Sequence, residues 1–270
     1  MRCLLALVVA LWGATAAAEA VRLEGALVQG GLVRGVAPAG SEVWFAGRRL
    51  RVDPDGGFLI GFDRDEPGAR ELIVRHPDGS ETVRQLSIAA RDYVVERIDG
   101  LPPGQVSPSA EDLVRIEAEA RLIAAARQRD SAAPGVAAAF VWPVTGRISG
   151  VFGSQRILNG EPRRPHRGVD VAAPSGRPVG AMADGVVSLA VPAMYFTGAT
   201  VMIDHGHGLH SVYAHLSAID VAVGQAVQRG ATIGRIGATG RATGPHLHWG
   251  VFWFERALDP ALLVGPMPRR

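Results

Sequence analysis

Four histidines and an aspartate stand out, because their types and spacing could gather them around one ion. They lie in two short motifs far apart in the chain, His166-Arg167-Gly168-Val169-Asp170 and Gly244-Pro245-His246-Leu247-His248-Trp249, and in a third, Tyr213-Ala214-His215-Leu216-Ser217. Side chains on a strand alternate between its faces, so His246 and His248 would point one way and Leu247 the other. A helix would splay residues at that spacing. One of the pair can bind a metal while its neighbour stands beside the water on that metal. His166 and Asp170, four apart, also fall on one face of an extended segment, and Gly168 between them removes a side chain and leaves room for an ion. Two imidazoles and a carboxylate suit Zn²⁺ with a fourth position open to water. An open position separates a catalytic zinc site from a closed structural one, and the chemistry it offers is metal-assisted hydrolysis. His215, two residues after Tyr213, is read as a supporting or catalytic histidine, able to take a proton or stabilise an oxyanion. No His-Glu-x-x-His helix occurs, so that kind of glutamate base is absent.

Other candidates have plainer readings. His205, His207 and His210 crowd the turn Asp204-His205-Gly206-His207-Gly208. Turn and strand-end roles are expected there, ahead of a metal patch. Trp249, Trp253 and Phe254 suit a substrate groove or, equally, a core. Arg156 and Asn159 precede His166 in a loop that could border the cleft. His76, beside a turn, reads as a surface residue.

The elements that must hold these residues are mostly strands. From Phe140 onward, Val186–Leu189, Ala199–Ile203 and His248–Phe252 read as strands punctuated by glycine. Residues 139–265 are therefore expected to form a compact antiparallel β-sheet domain. Residues 21–90 alternate short apolar stretches, such as Ser41–Phe45 and Gly57–Ile60, with the turn dipeptides Asp55-Gly56 and Asp78-Gly79. That pattern predicts a small β-sandwich-like domain. Residues 91–138 read as a linker with one helix, N-capped by Ser107 with Pro108 behind it. Its apolar stripe would be Leu113, Ile116, Ala120 and Ile123, with Glu111–Arg115 and Glu117–Arg121 as ion pairs on the wet side.

Composition narrows the classes. The chain has 270 residues, 47% of them hydrophobic and 20% charged, as a globular protein would. Every basic side chain besides histidine is arginine, and formal net charge is only +2. That charge and the lack of a basic run interleaved with aromatics argue against nucleic acid as partner. Arg2, the apolar stretch Cys3–Trp12 and Ala18-Glu19-Ala20 have the form of a secretory signal over residues 1–20, cut after Ala20. The protein is thus expected to be exported to the periplasm or cell envelope, touching a membrane only through this segment if it stays uncleaved. The single cysteine, Cys3, lies inside it, which excludes disulfides and cysteine catalysis in the remainder. Nothing in the sequence speaks to oligomeric state.

The three motifs in this order, with Gly168-Val169, Asp204-His205-Gly206 and Thr239-Gly240, resemble the signature of the LytM/lysostaphin-type zinc endopeptidases over roughly residues 140–262. The resemblance implies that His166, Asp170 and His248 hold zinc and that His215 and His246 serve catalysis. It implies peptide cross-links of bacterial peptidoglycan as substrate. A non-catalytic wall-binding regulator of another hydrolase is the alternative; the filled constellation argues against it.

Overall fold

The computed structural model describes residues 21–98, 109–132, 139–158 and 160–268. The expected signal segment, Ser107 and Pro108, and Asn159 with the side chain of Arg156 lie outside them. The chain is mostly β, as the alternating pattern predicts.

The N-terminal strands are β1 (Arg22–Gly25), β2 (Leu32–Val36), β3 (Glu42–Phe45), β4 (Arg48–Arg49), β5 (Gly57–Gly61), β6 (Ala69–Arg75) and β7 (Glu81–Ser87). They form two antiparallel sheets, ordered β1-β2-β5 and β4-β3-β6-β7. Period-two burial is visible on β3, where Val43 and Phe45 are buried between the half-exposed Glu42 and Trp44. Phe45 meets Phe62, just past β5, edge to face at 5.8 Å, which ties the two sheets together. Asp78-Gly79 turns β6 into β7. Gly79 has φ +84°, and Asp78 accepts from the Ser80 N–H.

Part of the segment read as linker is a strand, β8 (Val95–Ile98), and among the described strands its pairing is the one that departs from antiparallel order. It pairs in parallel with β10 (Gln155–Leu158), which also pairs with β11 (Glu161–Pro162). Helix α1 (Ala110–Arg127) follows. Its N-cap is Ser109, in a capping box with Asp112. The expected stripe is only half right: Ile116 and Ile123 are half-buried, but Leu113, Val114 and Leu122 are exposed and Ala126 is the buried residue. The helix docks through polar contacts that its own periodicity does not display. Glu119 accepts from the Tyr195 N–H at 2.7 Å, Arg115 donates to the Ala193 carbonyl, and Arg115 pairs with Glu119. No described helix is long and apolar enough to cross a membrane.

The main sheet contains β9 (Arg147–Gly150), β12 (Val169–Ala172), β13 (Pro178–Gly180), β14 (Gly185–Met194), β15 (Gly198–Asp204), β16 (Leu209–Ile219), β17 (Ala226–Val227), β18 (Thr232–Ile236), β19 (His246–Trp253) and β20 (Arg256–Leu258). Its central path runs β17-β14-β15-β16-β19-β12-β9; β18 pairs with β16 and β13, and β20 with β19. A short helix α2 (Pro260–Val264) closes it, capped by Asp259. Trp249, Trp253 and Phe254 are all buried, so the core reading holds for them.

The sandwich and the main sheet share one apolar core. Trp253 packs over Gly61, where an added Cβ would lie 2.5 Å from the Trp253 Cβ, and meets Phe45 at 6.0 Å. The buried Glu66 of the sandwich accepts from Arg70 at 2.5 Å and from Arg256 of β20 at 3.1 Å. Burial would raise its pKa, but the Asp63 N–H and these two guanidiniums outweigh that and lower it. Arg91 pairs with Asp259 at 2.8 Å.

The histidine-rich turn between β15 and β16 is structural in detail. His207 adopts φ +52°. It is held by Asp53 on Nε2 at 2.9 Å, by the Ser131 carbonyl on its N–H, and by the Trp253 indole N–H on its own carbonyl. His205 lies 2.7 Å from the Asp184 carbonyl through Nδ1 and 2.7 Å from Ser211 Oγ through Nε2. A carbonyl only accepts, so Nδ1 carries the proton and Nε2 accepts from Ser211. Ser211 Oγ lies 3.0 Å from Tyr213 Oη, which accepts from the Met182 N–H. The chain of bonds is complete only with neutral His205. Burial pushes the His205 pKa down to about 4 from 6.5, and that of Tyr213 up to about 12. Because the folded-state pKa is the lower one, this stability is fully present above pH 6.5 and is lost as pH falls towards 4. Denaturant titrations at pH 7 and pH 4.5 should therefore show His205→Gln losing less stability on acidification than the parent chain, by up to about 3 kcal/mol. Equal losses would refute this role.

Candidate metal and active site

Strand β19 places most of the site. Its register sets His248 opposite Asp170 and His246 opposite Ala172 on β12, and His248 opposite Ala214 on β16. Residues directly opposite share a face, so Asp170, His246 and His248 look into one cleft. Leu247 and Trp249 go to the other side and are fully buried. Trp249 meets Trp142 there at 5.4 Å.

His166 precedes β12 rather than lying on it. Its backbone pairs with Gly153 and Ser154 instead, through His166 N–H to the Ser154 carbonyl and Gly153 N–H to the His166 carbonyl. That pairing carries the ring over the strand end to Asp170. Nε2 of His166, Oδ1 of Asp170 and Nδ1 of His248 then converge, with separations of 3.1, 3.0 and 2.9 Å. Among the described residues this is the group of His, Cys, Asp and Glu able to share an ion. The outer nitrogen of His166, Nδ1, lies 2.9 Å from the Val151 carbonyl and must donate to it, which leaves Nε2 facing inward with its lone pair.

The donor set fits a divalent zinc ion. Three lone-pair atoms aimed at one point repel unless a cation lies between them. Zinc bonds of about 2.0–2.2 Å to N and O set tetrahedral donors roughly 3.3 Å apart, close to what is found. Burial opposes ionisation of Asp170, yet the two imidazoles of His166 and His248 beside it outweigh burial and hold its carboxyl well below the usual range. Burial lowers the His248 pKa, which favours the neutral ring that a metal ligand must be.

His215 reaches the same cleft by a route that simple alternation does not give. Tyr213, opposite Trp249, points to the buried side, and a residue two further on should follow it. Between Ala199 and Val201 the β15–β16 register slips, placing an extra residue on β16, and His215 takes φ +62°. This β-bulge turns the ring over into the cleft. It lies 4.7 Å from His246 and 6.2 Å from His248, centre to centre. Tyr213, grouped with His215 by spacing, instead belongs to the buried His205 network.

Backbone carbonyls aim both remaining imidazoles. Nδ1 of His215 lies 2.8 Å from the Thr239 carbonyl, and Nδ1 of His246 lies 2.8 Å from the Gly244 carbonyl. Both Nε2 atoms are thereby left with their lone pairs. Burial pushes the His215 pKa down to about 4, so this ring is neutral at pH 7 and can accept a proton. Thr239, without a role in the sequence reading, is a clamp. Its hydroxyl donates to the Leu216 carbonyl and accepts from the Ala199 N–H, which fixes the carbonyl that holds His215.

Two glycines make the convergence possible, one of them unremarked in the sequence. A Cβ at Gly168 would collide with the Trp249 carbonyl and come within 2.9 Å of the His248 ring. One at Gly150 would collide with the Asp170 carboxylate. Neither needs a positive φ; both supply space.

The β-sheet scaffold and the histidine–carboxylate cluster define a metal-dependent hydrolase type of site. The family model for peptidase family M23 matches residues 164–260, a span that holds all five residues. A solved structure of an M23 peptidase-family protein from Pseudomonas aeruginosa is 33% identical, covers 88% of this chain and 95% of that one, and superposes with a TM-score of 0.70. The chain belongs to peptidase family M23. It is also 42% identical over 122 residues to the DD-carboxypeptidase/endopeptidase Mpg of Neisseria gonorrhoeae, covering 45% of this chain and 28% of that one. To the peptidoglycan DD-endopeptidase ShyA of Vibrio cholerae it is 46% identical over 104 residues, covering 38% and 24%. The chain thus spans about a quarter of the length of these curated relatives.

Gly168→Ala tests the packing that joins the two motifs. The new methyl must displace either the β19 backbone or the His248 ring, so stability should fall by about 1–3 kcal/mol. Affinity for zinc, read by competition with a chromophoric chelator, should fall at least about tenfold. Unchanged zinc affinity would show that the close approach at Gly168 does not matter to the site.

Proposed function

We propose that this protein is an exported zinc endopeptidase that hydrolyses peptide cross-links of bacterial peptidoglycan. The observation that carries the proposal is the meeting of His166, Asp170 and His248 at one point, with the Nε2 atoms of His215 and His246 facing the same space. The names of the Neisseria and Vibrio relatives support peptidoglycan as substrate and bonds between D-residues as the target. The signal-like residues 1–20 support delivery to the periplasm or envelope, where that polymer lies.

When bound, zinc would supply Lewis-acid polarisation of the scissile carbonyl. His166, Asp170 and His248 are the residues that would hold it. His215 is neutral and aimed by Thr239, so its Nε2 can take the proton of the attacking water. The same proton can then be passed to the departing nitrogen. His246, 4.7 Å away centre to centre, presents Nε2 beside it; once protonated it can donate to the oxygen that gathers negative charge. The fixed carbonyl partners of both rings remove the need to reorient them during reaction, which keeps the reorganisation cost small.

His248→Ala should abolish zinc retention, measured by plasma mass spectrometry of the purified protein, together with release of muropeptides from purified peptidoglycan. His215→Ala should retain zinc and lose about 10²- to 10⁴-fold in rate. A fully active His248→Ala protein would rule out the assignment.

A further inference from the structure

Beside the cleft lies a compartment built partly by the sandwich. A cavity of about 190 Å³ opens where the two units meet, lined by Asp63, Arg64 and Asp65 of the β5–β6 loop and by Arg164, His166 and Arg167 ahead of β12. His166 belongs to both the cavity wall and the three-donor cluster, so the two spaces adjoin.

The charged lining is three arginines and two aspartates, so it holds one more cation than anion. Asp65 is taken up by Arg64 at 2.5 Å, and Asp63 accepts from the Arg64 N–H at 2.6 Å. Arg64 is held rigidly. Its Nε donates to the Gly153 carbonyl at 2.8 Å, its guanidinium lies 4.3 Å from the Tyr93 ring centre, and its side chain is 13% exposed. Arg167 is fixed by a bond from Nη2 to the Glu255 carbonyl. Arg164 stands exposed at the rim. A guanidinium whose geometry is set in advance loses little entropy on binding a carboxylate, and such charge-assisted bonds are the strong ones.

We propose that this compartment, with the exposed Arg164 as its main cation and the ion-paired Arg64 beside it, binds the free α-carboxylate of the residue that contributes the scissile nitrogen. The inference rests on the peptidase reading above. A direct cross-link between D-centres, or a C-terminal D-residue, carries a carboxylate on the carbon bonded to that nitrogen. A glycine bridge does not, because its next carbonyl is itself in a peptide bond. The compartment therefore selects direct links over glycine bridges. It also gives the N-terminal unit a task, since Asp63, Arg64 and Asp65 come from it and complete a wall that the peptidase sheet lacks alone.

The test uses the zinc-loaded full chain and a pair of acyl-D-Ala-D-Ala substrates, one with a free C-terminal carboxylate and one with a carboxamide. The acid should be cut with a kcat/KM about tenfold or more above the amide, mainly through KM. Arg164→Ala should reduce that ratio to about twofold or less, Arg164→Glu should abolish or invert it, and Arg164→Lys should keep part of it. Equal rates on acid and amide, with purified peptidoglycan still digested, would overturn the compartment's role and leave the hydrolase reading intact. Absence of all hydrolysis would overturn the hydrolase reading, and the compartment would then be judged by binding. Adding D-alanine to the ¹⁵N-labelled chain should shift the Arg64 and Arg164 resonances, and not in Arg164→Glu. No shift there would end the proposal.

Discussion

One strand register governs this molecule. β19 is bordered by β12 on one side and β16 on the other, and its alternation sends His246 and His248 to the cleft and Leu247 and Trp249 to the core. A slip by one residue would bury two imidazoles and expose a leucine and a tryptophan. The buried side opposes such a slip strongly. Leu247 and Trp249 are both fully buried, and each contributes roughly 1.5–3 kcal/mol by leaving water. The apolar residues of the H-L-H-W stretch thus act on the site without touching it: they fix which face the histidines occupy.

Orientation of the rings is a separate problem, solved by the backbone. Val151, Thr239 and Gly244 each offer a carbonyl to one Nδ1, and each bond leaves the Nε2 of its ring turned inward. His248 is the exception. It faces the cluster through Nδ1, while its neighbour His166 uses Nε2. The two imidazoles approach from different directions, one from a loop and one from a strand, and only opposite choices of nitrogen bring both lone pairs to the same place. Histidine spacing cannot show which nitrogen a ring will use, because the carbonyl that decides it lies elsewhere in the chain.

The legible part of the site was the part governed by local periodicity. His246 and His248 share a face because period two holds along β19, and Asp170 joins them because β12 pairs regularly beside it. His215 was legible as a residue type but not as a direction. Alternation from Tyr213 predicts the buried face, and the bulge on β16 reverses it. Gly150 carried no signal at all, since its role depends on the Asp170 carboxylate twenty residues away. Among the larger elements, the strands and the Asp78-Gly79 turn follow from alternation and turn chemistry. The face of α1 did not, because Glu119 and Arg115 anchor it through backbone groups of the β14–β15 hairpin rather than through an apolar stripe. β8 was hidden for a similar reason: its partner β10 lies across the chain, and a parallel pair needs no local turn.

The sandwich bears on the site through rigidity. Glu66 accepts from Arg256 across the junction, Arg91 reaches Asp259, Asp53 holds His207, and Trp253 fills the space left by Gly61. Separating the units would leave Glu66, whose side chain is 2% exposed, without one of its two cations, and would expose one face of a tryptophan. Uncompensated buried charge and newly wetted aromatic surface both disfavour that opening. A flexibly tethered module would show none of these contacts. The β5–β6 loop is therefore held at a fixed distance from the strand-end loop that carries His166. Any group it presents to that cleft is as well positioned as the residues of the main sheet.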